Sequence, residues 1–458
     1  MDDAKSLALE VLRSAGRAPR TGDELALTGA DPVFQTPFRI GTAGAAVLGA
    51  LGFAFSDLWK LRTGRTQAVA VDVRAAAASL RSNIYVRRNG EKPISWDPLT
   101  GHYATRDGRH FFLHTNHEHH RRGALRVVGV DAEDKALLAA AIARRDGLEF
   151  EEAIAAAGCV GGMTRSPQEW AAHPHAAVIA ALPLLEIVKI GEAPPEPLPA
   201  GERPLAGIRM LDLTRVLAGP TGARMLAEQG ADVMHVTAPH LPYQSELLMD
   251  TGHGKRCAFL DLRDPSGVET LRGLVRGADV FSQGYRPGTL AARGFGADAL
   301  AALRPGIVCV QLSAYGDTGP WGGRRGFDSI VQNVTGMAAT QGSLAAPTNL
   351  PVQALDYIGG YLVALGVARA LEKRATEGGS WLVKVSLAQV AHWLKGLGAV
   401  DAAAGATELA QEELAALFTE TMGPFGRLRY LKPALRLSET PGYYARPAEP
   451  LGTSPAAW

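Results

Sequence analysis

The 458-residue sequence predicts an α/β protein: an open, mostly parallel sheet joined to a second, smaller α+β domain. Three observations carry that expectation. Short apolar strands alternate with helix-length segments from about residue 205 onward. Five prolines between Pro194 and Pro204 break the chain just before them. Ahead of the prolines a hairpin pattern is followed by a run of helices instead.

Taken in order, residues 1–95 read as helix, Gly turn, alternating strand "QAVAVDV" and helix. Residues 96–193 form the small α+β domain, in which "HYATRDGRHFFLHTN" alternates as a hairpin around Asp107-Gly108. Helices follow at "DKALLAAAIARR", "EEAIAAAG" and "SPQEWAAHPHAAVIAAL", the last opened by a Ser166/Glu169 capping box. Residues 194–204 are an extended linker. Residues 205–400 are the large domain: "GIRMLDL", "TGARMLAEQG" and "ADVMHVT" make one βαβ unit, and "ADVFSQG" and "IVCVQLSAYG" add strands. The loops "RVLAGPTG", "QGYRPG" and "AYGDTGP" all follow strands, where open sheets of this kind bind ligands. Residues 401–458 form a helix and an extended arm expected to pack over a neighbour.

Composition narrows the function. With 47 Lys and Arg against 46 Asp and Glu, the net charge of +1 gives no basic surface for nucleic acid or anionic membranes. The three cysteines are far apart and form no CxxC, which points to a reducing compartment. The N-terminal stretch lacks the basic start and apolar core of a secretion signal, so a cytoplasmic location is expected. The apolar run Ile358 to Ala368 is too short to span a bilayer. No turn carries GxGxxG or GxxxxGK[ST], which disfavours a bound dinucleotide or nucleoside triphosphate. "HTNHEHHRR" invites a metal reading, but Arg121 stands where HExxH needs its second histidine. On an alternating strand and turn these histidines would point to different faces, so no metal site is assigned. Cys257 and Cys309 fall on strands as packing residues.

One carboxylate stands out. Asp356 opens the uncharged segment "YIGGYLVALGVA", which gathers basic residues only from Arg369 onward, as a buried helix with a cationic C-terminus does. By itself it reads as an N-cap. The same segment repeats near the N-terminus. Gly41–Leu80 placed under Leu355–Leu394 without gaps matches at ten of forty positions, and Asp356 then faces Thr42.

The stretches "LDLTRVLAGPTGARMLAEQGADVMHV", "GHGKRCAFLDLRDPSG", "ADVFSQGYRPGTLAARGFGADALAALRPGIVCVQLSAYGDTGP" and "RRGFDSIVQNVTG" resemble successive motifs of the family III CoA-transferases, over about Leu205 to Leu394. "AAGCVGGMTRSPQEWAAHP" and the hairpin at His102 to Phe112 resemble parts of that family's small domain. The resemblance implies a Rossmann-like large domain, here in a permuted order with one segment duplicated, and a homodimer with interlocked chains.

It also implies the chemistry. Asp356 matches the family's covalent nucleophile, with Gly359 and Gly360 leaving room for an acyl group. Being ionised at neutral pH, it would need no general base. CoA would move from an acyl-CoA thioester to a carboxylic acid acceptor through aspartyl anhydride and aspartyl-CoA intermediates. Coenzyme A or acyl-CoA is then a substrate, and no permanently bound cofactor or metal is implied. Contacts to CoA fall by position on Val216, Leu217 and Ala218, on Lys255, on Gly284, Tyr285 and Arg286, and on Arg325 and Phe327. Phe327 replaces the histidine of racemase relatives, which disfavours a 1,1-proton transfer. Two other readings stay open on the same fold: a catalytically impaired CoA-binding or regulatory homologue, and an isomerase moving CoA within one molecule. Thr42, lacking a carboxylate, leaves the N-terminal copy a structural role.

Overall fold

The computed structural model describes residues 2–20, 23–93 and 96–458; Ile94 and Ser95, at the expected 95/96 boundary, lie outside the described residues. Its largest sheet has seven strands, in the spatial order Lys255–Phe259, Asp232–Thr237, Arg209–Leu213, Val280–Gln283, Val308–Ser313, Ser380–Ser386 and Glu186–Gly191. All neighbours pair in parallel except the last, which runs antiparallel to Ser380–Ser386. The central strands are near-continuous apolar runs because both faces are covered, and Leu211, Met234, Phe281 and Val310 are all buried. Glu186–Gly191 corrects the sequence-based boundary at 193: it belongs to the large sheet, not to the small domain. As an edge strand it carries Glu186 and Lys189 among its apolar residues, and such charges keep an edge from pairing further.

After contributing the edge strand Glu186–Gly191, the chain enters the parallel part of this sheet at Arg209–Leu213, moves outward through two strands, then returns to the other side with Val280–Gln283. Between those two central strands the winding reverses, and the crevice outside their carboxyl ends is where such sheets take ligands.

Two helices of 24 residues, Ile40–Thr63 and Ala354–Glu377, pack against each other in the core. The run Ile358 to Ala368 is thus part of a longer helix. By length and composition either helix could cross a membrane, yet both are buried within the folded chain. A three-stranded sheet, Leu25–Thr28, Val69–Asp72 and Leu435–Leu437, lies beside Ile40–Thr63.

The small domain pairs Gly101–Ala104, His110–Leu113 and Gly161–Met163 in one antiparallel sheet, covered by helices through Phe111, Leu125, Leu138 and Phe150. The expected helix after Ser166 is two, Pro167–Ala171 and Pro174–Ala181, separated by a proline that cannot continue the first. Asn333 docks this domain on the large one: His102 Nε2 lies 2.9 Å from its Oδ1, and Thr164 Oγ1 donates to the same oxygen at 2.6 Å.

The C-terminal arm corrects another expectation, because it packs over its own chain. Phe418–Gly423 and Gly426–Leu431 form a hairpin against Arg87–Arg88, and Leu435–Leu437 pairs with Val69–Val71. At its end Trp458 donates from Nε1 to Leu274 O at 2.8 Å, beneath the guanidinium groups of Arg209 and Arg256.

Candidate active site

The helix Ala354–Glu377 begins at the boundary between the two domains, and its first amides have no partners within the helix. Asp328, at the start of helix Asp328–Val334, supplies one. Its Oδ2 accepts from Leu355 N at 2.8 Å and from Asp356 N at 3.0 Å, while its Oδ1 accepts from the Gln332 side-chain amide. The cap read onto Asp356 is therefore made by a residue far upstream, and the N-cap position itself is Gln353. Asp356 is left with a carboxylate that makes no hydrogen bond or ion pair among the described residues, at 7% exposure on the wall of a cleft.

The charge state of Asp356 also departs from the sequence reading. Burial first, and the adjacent Asp328 second, push its pKa well above the usual carboxylate range. Burial lifts Asp328 to about 6, held from going further by the amides it accepts. Two buried carboxyl groups this close do not ionise independently.

The cleft has a volume of about 990 Å³ and opens at the carboxyl ends of the two central strands. Val216, Leu217 and Ala218 line it after Arg209–Leu213, and Gly284, Tyr285 and Arg286 line it after Val280–Gln283. Arg325 and Phe327 close it from the loop ahead of Asp328. Of the residues singled out from sequence, these and Asp356 are brought together. Val216 sits at φ 70°, a left-handed conformation costly for a β-branched residue, at the turn that delivers the wall into helix Ala218–Glu228.

Three other sequence-based candidates lie elsewhere. Lys255 is 1% exposed, and its Nζ donates to Asp212 Oδ2 at 3.0 Å and to Pro220 O at 2.8 Å. It ties the end of a strand to the first turn of the next helix and does not line the cleft. Gly359 and Gly360 do not open space for an acyl group. A Cβ on Gly360 would meet Ala218 O at 2.5 Å, and one on Gly222 would meet Gly360 O at 2.8 Å, so these glycines let two helices cross closely. A Cβ on Gly359 would meet Leu387 Cδ2 at 3.3 Å.

The histidine stretch forms no extended strand beyond Leu113. His117 is the N-cap position of helix Glu118–Val128, so His117 and His120 fall on one helical face. His114, His117 and His120 gather on Phe327, with ring centroids 4.4, 5.7 and 6.0 Å from it. Burial is the main cause that lowers all three, to about 3, 4 and 2, so this wall is neutral at physiological pH. No group of three or more His, Cys, Asp or Glu side chains among the described residues is arranged to hold a metal. Sequence reading missed Arg215, which also lines the cleft and makes no ion pair or hydrogen bond among the described residues. Its only signal was position, one residue before the "VLAGP" loop.

Residues 205–421 match CoA-transferase family III. The acetyl-coenzyme A transferase nodX of Hypoxylon pulicicidum is 38% identical, covering 44% of this chain and 35% of its own. An acyl-CoA transferase of Gibberella moniliformis is 33% identical, covering 52% of this chain and 45% of its own. A crystal structure of a Mycobacterium tuberculosis protein described as hypothetical is 32% identical, with a TM-score of 0.40, over 42% of this chain and 56% of that one. The chain thus spans less than half the length of the two named transferases. The matched residues 205–421 hold both the large sheet's central strands and Asp356, and over that span the chain is similar to CoA-transferase family III.

Proposed function

We propose that the protein transfers coenzyme A from an acyl-CoA thioester to a carboxylic acid, with Asp356 as the covalent nucleophile. One observation carries this reading. The helix start is capped by Asp328, so Asp356 keeps an uncommitted carboxylate on the wall of a cleft that opens at the winding reversal of the sheet.

The steps balance on that single group. A carboxylate oxygen of Asp356 attacks the thioester carbonyl, the C–S bond breaks, and CoA leaves as thiolate with an aspartyl–acyl anhydride behind. The thiolate attacks the aspartyl carbonyl and releases the donor acid as carboxylate. An acceptor carboxylate then displaces the thiolate from aspartyl-CoA, and the thiolate opens the new anhydride at the acceptor's carbonyl, which restores Asp356. The raised pKa of Asp356 makes its carboxylate a better nucleophile than an ordinary aspartate once deprotonated. Neutral His117 and His120, with Phe327, offer a half-apolar surface to the acyl group, and buried His114 backs Phe327.

The test is chemical trapping. Wild-type protein incubated with acyl-CoA and then hydroxylamine should carry a hydroxamate at Asp356, found by peptide mass spectrometry. Asp356→Ala should lose turnover with a panel of acyl-CoA donors and carboxylate acceptors and keep its affinity for CoA. Full turnover by that variant refutes the proposal.

A further inference from the structure

We propose that Tyr357 is a positioning residue, through which the N-terminal copy sets the direction of the Asp356 carboxylate; this rests on the transferase reading above. Asp356 makes no hydrogen bond of its own among the described residues, so the backbone beneath it decides where it points in the cleft. That backbone is the first turn of helix Ala354–Glu377, whose leading amides depend on partners from outside the helix. Asp328 supplies one support, at Leu355 N and Asp356 N. The N-terminal copy supplies the others. Leu80 O accepts from Gln353 N at 3.0 Å. Tyr357 Oη accepts from Asn83 N at 2.9 Å, and it lies 3.1 Å from Ser82 Oγ and 3.0 Å from Asp250 Oδ2.

The groups behind that hydroxyl are themselves tied down. Ser82 Oγ donates to Asp250 Oδ2 at 2.7 Å, and Arg224 Nη1 donates to Asp250 Oδ1 at 2.7 Å. All of these side chains are buried, where hydrogen bonds are strong and alternatives to them few. Arg224 belongs to helix Ala218–Glu228, which starts on the cleft wall at Ala218. One phenol therefore joins the N-terminal copy, the helix of Asp356 and the helix that leaves the wall of the cleft. Burial first, and Asp250 second, hold its pKa well above the ordinary tyrosine value, so it keeps its proton and remains a donor. A second tyrosine separates positioning from packing. Tyr361, one turn further along, lies 2.7 Å from Ser79 Oγ of the same copy and is as buried as Tyr357. Ser79 gives its own proton to Ala76 O at 2.6 Å, so Tyr361 is the donor there. Both contacts tie the same two units together, but only Tyr357 adjoins Asp356.

The test compares Tyr357→Phe with Tyr361→Phe, since each keeps the ring and removes one buried hydroxyl. With the donor and acceptor pair that wild-type protein converts fastest, Tyr357→Phe should lower kcat about tenfold or more, because a small misplacement of a reacting group is costly. Its KM for the acyl-CoA, and its affinity for desulfo-CoA by isothermal titration, should stay near the wild-type values. Tyr361→Phe should keep wild-type kcat, although both variants lose stability in urea. Hydrogen exchange reads the same turn without turnover. The peptide holding Leu355 and Asp356 should exchange several-fold faster in Tyr357→Phe and at the wild-type rate in Tyr361→Phe. Wild-type kcat in Tyr357→Phe overturns the proposal. So does an equal loss of kcat in both variants, since the hydroxyls would then only hold the fold, and so does unchanged exchange. Should Tyr357→Phe not fold, Ser82→Ala removes a neighbour of the same hydroxyl, and wild-type kcat and exchange in that variant would overturn the proposal instead. Absence of turnover with every pair would count against the transferase reading, while the exchange comparison still judges Tyr357.

Discussion

Asp328 and Asp356 occupy one buried spot, and they cannot both be charged at low cost. Asp328 accepts three donors and Asp356 none, so the proton resides more readily on Asp356. A nucleophilic carboxylate must be unprotonated, so kcat/KM should climb with pH along a limb above the ordinary carboxylate range. Asp328→Asn keeps an acceptor oxygen for the amides and removes the charge, and the limb should move to lower pH. A limb that stays in place would show that the Asp328 charge is not felt. The same shift acts on stability. A carboxyl whose folded pKa is raised contributes fully below its unfolded value, and that contribution is lost as pH rises through the folded one. Asp356→Asn should therefore raise the melting temperature by a few degrees at about pH 8 and change it little near pH 4. Equal shifts at both would exclude titration as the cause. Lys255 obeys the opposite logic: with it gone, Asp212 is a buried charge without its ammonium. Lys255→Met should cost about 3–5 kcal/mol in urea unfolding, and adding Asp212→Asn should recover much of that. An unchanged midpoint for the single variant would show that the pair is not needed.

At the level of elements, Asp356 is placed by a helix crossing. Helix Ala218–Glu228 and helix Ala354–Glu377 approach where Gly222 and Gly360 face each other's backbone. Gly360→Ala meets Ala218 O and Thr221, neither able to rotate away, and should cost about 1–3 kcal/mol and shift Asp356, lowering kcat. Gly359→Ala meets the end of Leu387 at 3.3 Å and Val385 at an ordinary 3.9 Å, and the helical preference of alanine, about 1 kcal/mol, offsets the closer contact. Urea midpoints of the two variants should separate accordingly; equal costs would refute the crossing as the reason for Gly360. These elements also show what was legible. The parallel strands read directly from sequence because strands buried on both faces are apolar runs punctuated by turns. Asp356 read as exceptional because a lone charge before an apolar helix breaks the local pattern. The roles of Asp328, Lys255 and Gly360 did not, because each depends on a contact across tens of residues: Lys255 finds Asp212 at a separation of 43. Glu186–Gly191 was missed because an edge strand with mixed polarity, followed directly by prolines, resembles a linker.

Across the whole molecule the repeat is structural as well as sequential. Helix Ile40–Thr63 and helix Ala354–Glu377 have the same length, and both end at a glycine with positive φ, Gly64 and Gly378. Strand Val69–Asp72 is flanked by a parallel and an antiparallel neighbour, as Ser380–Ser386 is in the large sheet. Even the cap recurs: Asp31 accepts from Gly41 N at 3.1 Å and from Thr42 N at 2.6 Å, as Asp328 does for Leu355 and Asp356. The N-terminal unit likewise presents a side chain at a capped helix start, with a hydroxyl there where the other helix has a carboxylate. A hydroxyl without an adjacent base is a poor nucleophile. Thr42 is also 4% exposed and lines none of the clefts described above. What the unit does supply is a packing partner, since Ile40–Thr63 buries the face of Ala354–Glu377 that would otherwise meet water. Trapping with acyl-CoA should therefore label one aspartate per chain, and Thr42→Asp should add no second label, because the carboxylate would have no cleft to face. Thr42→Ala should leave turnover unchanged. Deleting residues 1–95 should expose the apolar helix and yield aggregated protein, seen by light scattering during expression and refolding. A soluble, active product of that deletion would show that helix Ala354–Glu377 holds Asp356 in place without its counterpart.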